Sequence, residues 1–463
     1  MANQESHDAS PEDELLSPLL KSLETKMERN EKNNTEAMND PHLSGPRMPI
    51  MYRVPDVLRE QNASKYSPTA MSIGPLHRRT PRLEAMESVK LSYMRRLLDR
   101  TQTFEETKRA CVAAMLKKEQ LVRTCYAELK LDAVAAKDDA SLAEVMLIDG
   151  CFIIELLYRN FQKDYDPILW NPFKYYAVQH DLLLLENQIP FFVLQELFNL
   201  TVLEKVQNER NNQEYSLTLW VLSFFGDMMG LENGGVEKMR NISPYHMLHL
   251  FHIYYLRPCD DDSSSNFTYE EQPGFKYSAT ELHLAGVKLK AGKKRNLFDI
   301  KFNTPFSCSS CWFCFRKGHL EIPPFSIYES TEPFLRNLIA FEQCCPWIES
   351  YFTSHAFLMD VLIDTPDDVK LFEEAGIICN YLGSSEAVSQ LFNGICKNAV
   401  PRHFLYATLY KEAMGFCKPW RVSAGKLKHD YFGNPWSGIS VIAAIVLFAL
   451  AFLQTFYAMI SYY

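Results

Sequence analysis

The chain has 463 residues, 47% hydrophobic and 23% charged, with a formal net charge of −9. That composition belongs to a folded protein with a sizeable core, not to a disordered chain. The acidic balance excludes a general nucleic-acid binder, which needs a basic face to displace counterions, and Lys293-Lys294-Arg295 is too short to supply one.

Residues 1–47 are polar and acidic, with Leu15-Leu16 and Leu19-Leu20 as their only apolar cluster. They are expected to form a disordered tail, because so little apolar surface cannot offset the entropy of ordering. No secretory or myristoylation signal is expected at the start, so the 12 scattered cysteines are expected to be reduced thiols in a cytosol-facing protein. Ordered structure is expected from Met48. Arg53-Val54-Pro55, Tyr66-Ser67-Pro68 and Ile73-Gly74-Pro75 read as extended or turn segments, since proline restricts the residue before it.

A helical period sets in at Leu83 and runs through Met86, Val89, Tyr93, Met94 and Leu97. A second helix is predicted from about Phe104 to Leu129, with Cys111, Met115, Leu121, Val122 and Tyr126 on its apolar side. Residues 142–160 and 181–199 are more apolar still. Both are short for a bilayer span and contain carboxylates, so they read as central core helices, the second broken or kinked at Pro190. Residues 207–215 and 259–275 read as loops.

Between Leu284 and Ile327 the helical period fades, and the alternation of Val287, Leu289, Phe298, Ile300 and Phe302 predicts a small antiparallel sheet or hairpin. Helices resume at Thr331. Thr365-Pro366-Asp367-Asp368 is a helix start, with a capping hydroxyl, a proline in the first turn and two carboxylates at the positive end of the dipole. Gly376 is a C-terminal stop, and Ser384-Ser385-Glu386 opens the next helix.

Ile439 to Ile460 carries no charge, and as a helix would be about 33 Å long, which matches a hydrocarbon core of about 30 Å. Ile439, Leu447, Leu453 and Ile460 mark this expected membrane anchor. Tyr431, Phe432 and Trp436 before it and Tyr457, Tyr462 and Tyr463 near its end suit the two interfaces. Lys418, Arg421, Lys426 and Lys428 precede the span and no charge follows it, which predicts a single pass with a cytosolic N-terminal body, at the plasma membrane. Triplets such as Asn62-Ala63-Ser64 and Asn266-Phe267-Thr268 would then carry no glycan.

Two sets of residues are candidates for chemistry. Cys308, Cys311 and Cys314, with His319 five residues later, have a spacing that could hold zinc or an iron–sulfur cluster; no second paired-cysteine element follows, and the expectation is a protein with no cofactor. Asp149, Glu155, Asp181 and Glu186 sit inside apolar runs. A glycosidase-like or other hydrolase needs two such groups across a cleft, but carboxylates paired with cations or helix ends read the same way in sequence. Glu186-Asn187-Gln188 is a polar knot in an apolar run and is expected to fasten neighbouring helices. His246, His249 and His252 share a helical face that suits either a metal or packing. Phosphate loops, nucleophile elbows and HExxH are absent from the sequence.

Taken together, several motifs resemble the plant family called domain of unknown function 247. They are Arg53-Val54-Pro55, Ser72-Ile73-Gly74-Pro75-Leu76-His77, Met86-Glu87-Ser88-Val89-Lys90, Asp149-Gly150-Cys151 through Glu155, and Asp181 through Phe192. Later come Ala285-Gly286-Val287, Thr331-Glu332 with Leu335 through Gln343, Asn393, and Asn434-Pro435-Trp436. The resemblance covers about residues 48–460. It implies a membrane-associated plant protein without a shared catalytic mechanism, so no catalytic residue is carried over. Some grass members are associated with pollen–stigma self-incompatibility, which implies a recognition role.

The expected architecture is therefore mainly α: a large helical domain at residues 48–436 with a small antiparallel β element, then one C-terminal transmembrane helix at 437–463. The expected function is recognition or signalling at a plant membrane through a protein partner, without catalysis. The alternative is a membrane-bound hydrolase with a paired-carboxylate site.

Overall fold

A computed structural model describes residues 49–127, 141–203, 215–231, 233–240, 242–256, 277–292, 296–304, 318–432 and 435–462. The expected tail at 1–47 and loop at 259–275, and all but the last residue of the loop at 207–215, lie outside the described residues. The fold is mainly helical with small sheets.

Helices α1 (Ala85–Asp99) and α2 (Phe104–Thr124) flank α3 (Leu142–Gln162). Tyr93 and Leu97 on α1, and Cys111, Met115 and Val122 on α2, turn inward at helical spacing. On α3 every residue from Val145 to Arg159 is buried, as its unbroken apolar run requires of a core helix. Ser141 caps its start by accepting from Glu144 N at 3.2 Å, and Lys163, left-handed at φ 56°, ends it. Helix α2 stops at Thr124, short of the expected Leu129. Cys125 O accepts from both Ile50 N and Met51 N at 2.8 Å, and Ala127 N donates to Met51 O at 3.0 Å. This short pairing with residues 50–51 uses the backbone groups that another helical turn would need.

Helix α4 (Pro172–Leu182) starts from Asn171, whose side chain accepts from Lys174 N at 3.1 Å, with Pro172 in the first turn. Helix α5 (Phe191–Phe198) begins only after Pro190. The expected break at Pro190 is thus a wide one: residues 183–190 leave the helix altogether yet stay buried. Helices α6 (Leu217–Phe224) and α7 (Met247–Leu256) complete this half. Gly150 lets α5 cross α3 closely, since a Cβ there would lie 2.5 Å from Leu197 Cδ1.

After α8 (Ala279–Leu284) come strands β1 (Val287–Ala291), β2 (Lys301–Asn303) and β3 (Gly318–Ile322), in the order β1-β3-β2. β2 runs antiparallel to β3, as the alternation anticipated, while β1 joins it in parallel; Leu320 faces Leu289 on one side and Phe302 on the other. A second small sheet pairs β4 (Phe325–Ile327) in parallel with β5 (Ile378–Asn380).

Helices α9 (Thr331–Cys344), α11 (Pro366–Glu374) and α12 (Ser385–Ile395) follow the predicted starts, and α10 (Tyr351–Leu362) and α13 (Ala407–Phe416) lie among them. Thr365 and Asp368 form a capping box, with Thr365 N to Asp368 Oδ2 at 2.9 Å, and Gly376 ends the segment at φ +69°. One contiguous apolar core runs from Ile50 to Val422.

Helix α14 (Pro419–Phe432) packs on α8, and α15 (Pro435–Tyr462) follows it. Within α15, Ile439–Ile460 is long and apolar enough to cross a membrane by length and composition, and 0% of it is buried. Ile439, Leu447, Leu453 and Ile460 are all exposed.

Candidate functional site

The four candidate carboxylates are fully buried, and each is held by donors of its own. The non-helical segment 183–190 explains much of this. Buried backbone outside a helix must find partners, and the side chains of the polar knot supply them. Gln188 Nε2 donates to Leu182 O at 2.6 Å and Leu184 O at 2.9 Å, and Asn187 Nδ2 donates to Asp181 O at 2.9 Å and Met71 O at 3.2 Å. Asn337 on α9 accepts from Leu185 N at 2.9 Å, which ties the segment to the C-terminal half.

Against this knot lies the segment Thr69 to Gly74, whose amides are captured in turn. Asp181 accepts from Thr69 N at 2.9 Å, Ala70 N at 2.6 Å and Met71 N at 2.9 Å. Asn187 Oδ1 takes Ile73 N at 2.6 Å, and Asp149 Oδ2 takes Gly74 N at 2.8 Å. Gly74 sits at φ +71°, and a Cβ there would lie 2.8 Å from Gln188 O, so the turn requires glycine.

Asp149 also meets Lys90 Nζ at 2.7 Å, and Lys90, itself fully buried, donates to Ser72 O. Burial pushes the Asp149 carboxyl above its ordinary value, against the opposing pull of Lys90 and the Gly74 amide. Glu186 accepts from Val54 N at 2.6 Å, pairs with Arg59, and lies 3.0 Å from His77 Nε2. Burial works to raise the Glu186 carboxyl, but His77, Arg59 and the Val54 amide outweigh it and hold it below its ordinary value.

Glu155 belongs to a separate network. It binds Arg159 Nε at 2.6 Å and Arg100 Nε at 3.0 Å. Arg159 continues to Asp166 at 2.7 Å, and Asp166 accepts from Tyr93 OH at 2.7 Å. Burial acts to raise Asp166, yet bonds from Tyr93, the Ile168 amide and Arg159 leave it lowered. Sequence reading missed Asp166, Arg100 and Arg159, and named Lys90 only within a family motif, not as a partner of Asp149. The legible signal was Asp166-Pro167, because an aspartate before proline can bond its own backbone two residues on, as Asp166 does to Ile168 N at 2.7 Å. A lysine as buried as Lys90 leaves no local trace.

Of the metal candidates, Cys308, Cys311 and Cys314 lie outside the described residues; His319 lies on β3, opposite Lys288 and Asn303. Groups of three ligating side chains placed to hold a metal ion are absent among the described residues. His246, His249 and His252 do share a face, with ring centroids 6.2 Å apart along the series, and all three pack around Phe341. His252 Nε2 lies 2.9 Å from Glu342, while His249 Nδ1 accepts from Tyr245 N at 3.0 Å.

The geometry is a set of fasteners drawing residues 53–77, 149 and 181–190 together, the same stretches that carry the family resemblance. A family model described as "Plant protein of unknown function", DUF247, matches residues 51–450. The chain belongs to the DUF247 family. A UPF0481 protein of Arabidopsis thaliana is 29% identical over 429 residues, covering 89% of this chain and 86% of the relative. A second Arabidopsis thaliana relative, named as a putative UPF0481 protein, is 23% identical over 494 residues, with 88% and 89% covered. No solved structure matches the chain. In this DUF247 protein the motif acids Asp149, Asp181 and Glu186 each receive backbone amides from the N-terminal segment.

Proposed function

We propose that this protein is a single-pass membrane protein with a cytosolic body, at the plasma membrane, which acts in recognition or signalling through a protein partner and not in catalysis. The observation that carries the non-catalytic part is the burial of Asp149, Glu155, Asp181 and Glu186 against cations and amides of the fold itself. A general acid or base must reach a substrate proton, and these groups are spent on Lys90, Arg100, Arg159, Arg59 and a run of amides. A recognition role is supported by an exposed aromatic cluster at the start of α4. Tyr165, Trp170, Phe173 and Tyr176 all face solvent, Phe173 at 88% exposure. Aromatics of this kind anchor protein interfaces.

The membrane part is supported by the uncharged, unburied run Ile439–Ile460. Its test is alkaline carbonate extraction with protease protection on intact microsomes, using an N-terminal tag. A tag digested without detergent, on a protein retained in the carbonate pellet, fits the proposal. A protected tag with glycans at Asn62 or Asn266 overturns the orientation and turns the body outward. Release by carbonate overturns the span. The protein is proposed to work without a metal, and about one equivalent of zinc, or about two to four of iron with matching sulfide, that is lost on changing Cys308, Cys311 and Cys314 to serine would instead give them a ligand role.

A further inference from the structure

Helix α14 has two different sides. One is docked on the body: Val422 is buried, and a Cβ on Gly425 would overlap the Leu284 carbonyl, so the helix backbone abuts the end of α8. The other side carries Trp420 and Leu427, seven positions and two turns apart and so on one face, 55% and 57% exposed, with exposed Ala424 between them. At about 100° per residue, Arg421 and Lys426 fall on the two flanks of this stripe. Lys418, exposed, lies just before the helix. Arg421 extends over the rings of Phe416 and Trp420, at 4.4 and 5.4 Å, and Lys426 lies 3.9 Å from Glu281.

An apolar stripe ending in tryptophan and bordered by long cationic side chains has the chemistry of a helix lying in a bilayer interface, where the ring sits at headgroup level and the cations reach outward. The chain continues from this helix to the apolar run that begins at Ile439. The charge pattern also selects the lipid. With a net charge of −9 the whole protein is repelled by an anionic surface, but screening over about 10 Å at 0.1 M salt leaves only the nearest charges to act, and those on and beside α14 include Lys418, Arg421 and Lys426.

We infer that α14 is an interfacial helix: its Trp420–Leu427 face rests in the headgroup layer of the bilayer that receives α15, with Lys418, Arg421 and Lys426 against anionic phospholipid. The inference rests on the membrane reading above, and its test separates the two. Full-length protein carrying the photoreactive benzoylphenylalanine at Leu427, Leu453 or, as an exposed control on α1, Leu91 is reconstituted into phosphatidylcholine vesicles with or without phosphatidylserine. Adducts to phospholipid are then read by mass spectrometry. Adducts are expected from positions 427 and 453 and not from 91. The yield at 427 should rise with phosphatidylserine, and Lys418→Gln with Lys426→Gln should lower that gain by about fivefold per charge. Adducts at 453 without any at 427 overturn the interfacial helix and leave the span standing. Adducts at 427 without any at 453 keep the interfacial helix and remove the span, and none at either removes both. A yield at 427 indifferent to phosphatidylserine and to both lysines overturns the assignment to anionic lipid.

Discussion

Lys90 and Asp149 meet at 2.7 Å with neither side chain in contact with water. Removing one partner of such a pair strands the other as a buried charge, at a cost of about 3–5 kcal/mol, whereas replacing both by apolar groups of similar volume is close to neutral. Lys90→Met alone should therefore lower the melting temperature of the detergent-solubilised chain sharply. The double variant Lys90→Met with Asp149→Leu should recover part of that loss. A double variant worse than the sum of the two singles would show that the Gly74 amide and the Ser72 carbonyl, and not the ion pair, dominate this node.

Gly74, packed against the knot, and Gly150, on α3, should respond differently to alanine. Gly74→Ala places a Cβ 2.8 Å from a backbone oxygen at φ +71°, and the left-handed backbone alone costs about 1–2 kcal/mol. Gly150→Ala meets the flexible end of Leu197, and gains about 1 kcal/mol of helix propensity against that contact. Thermal melts should rank the variants in that order, with Gly74→Ala the less stable.

Asp181 makes its own prediction, because it holds three consecutive amides of residues 69–71. Asp181→Asn keeps the shape and removes the charge, which weakens charge-assisted bonds. Hydrogen exchange of residues 69–74 should quicken while the exchange of α9 to α12 stays as in the parent. Uniform quickening throughout would mean that this segment opens only with the whole molecule.

Acid should unfold the protein through its histidines. Burial pushes His246 down to about 3, His249 to about 2 and His355 to about 4, from an ordinary 6.5. Above pH 6.5 these groups are neutral both folded and unfolded, and contribute nothing to pH dependence. Below it the unfolded chain takes up protons that the fold refuses, so stability falls with pH from about 6.5 down to about 4 for His355, about 3 for His246 and about 2 for His249. Three protons give a limiting slope of about 4 kcal/mol per pH unit. Melting temperatures between pH 7.5 and 5 should drop steeply, and His355→Phe should shallow that drop by about a third.

Much of the fold was legible because its signals are local. The Thr365–Asp368 capping box, the Ser384 cap and the uncharged stretch at Ile439–Ile460 are each written in a few adjacent residues. The departure of residues 183–190 from helix was only half legible. Pro190 announced a break, but its width depends on Asn187, Gln188 and Asn337 bonding to backbone, partners that sequence does not place. The β4–β5 pairing joins two three-residue strands some fifty positions apart, too short for an alternation to be read. The candidate acids Asp149, Glu155, Asp181 and Glu186 stood out in the sequence as carboxylates inside apolar runs, and they are buried. Their partners Lys90, Arg100 and Arg159 were not legible, because the sequence shows a charge without showing what it faces.

Gly425 has a consequence for how far the protein can search. It is docked on the body, and Ile439 lies only fourteen positions further along the chain, a tether of at most about 50 Å even when fully extended. If Ile439–Ile460 spans a bilayer as proposed, a body on so short a leash explores a shallow layer beside it, not a volume. Encounters are then governed by lateral diffusion and by the tilt of the body, and a partner presented on the same membrane is met at a far higher local concentration than one free in solution.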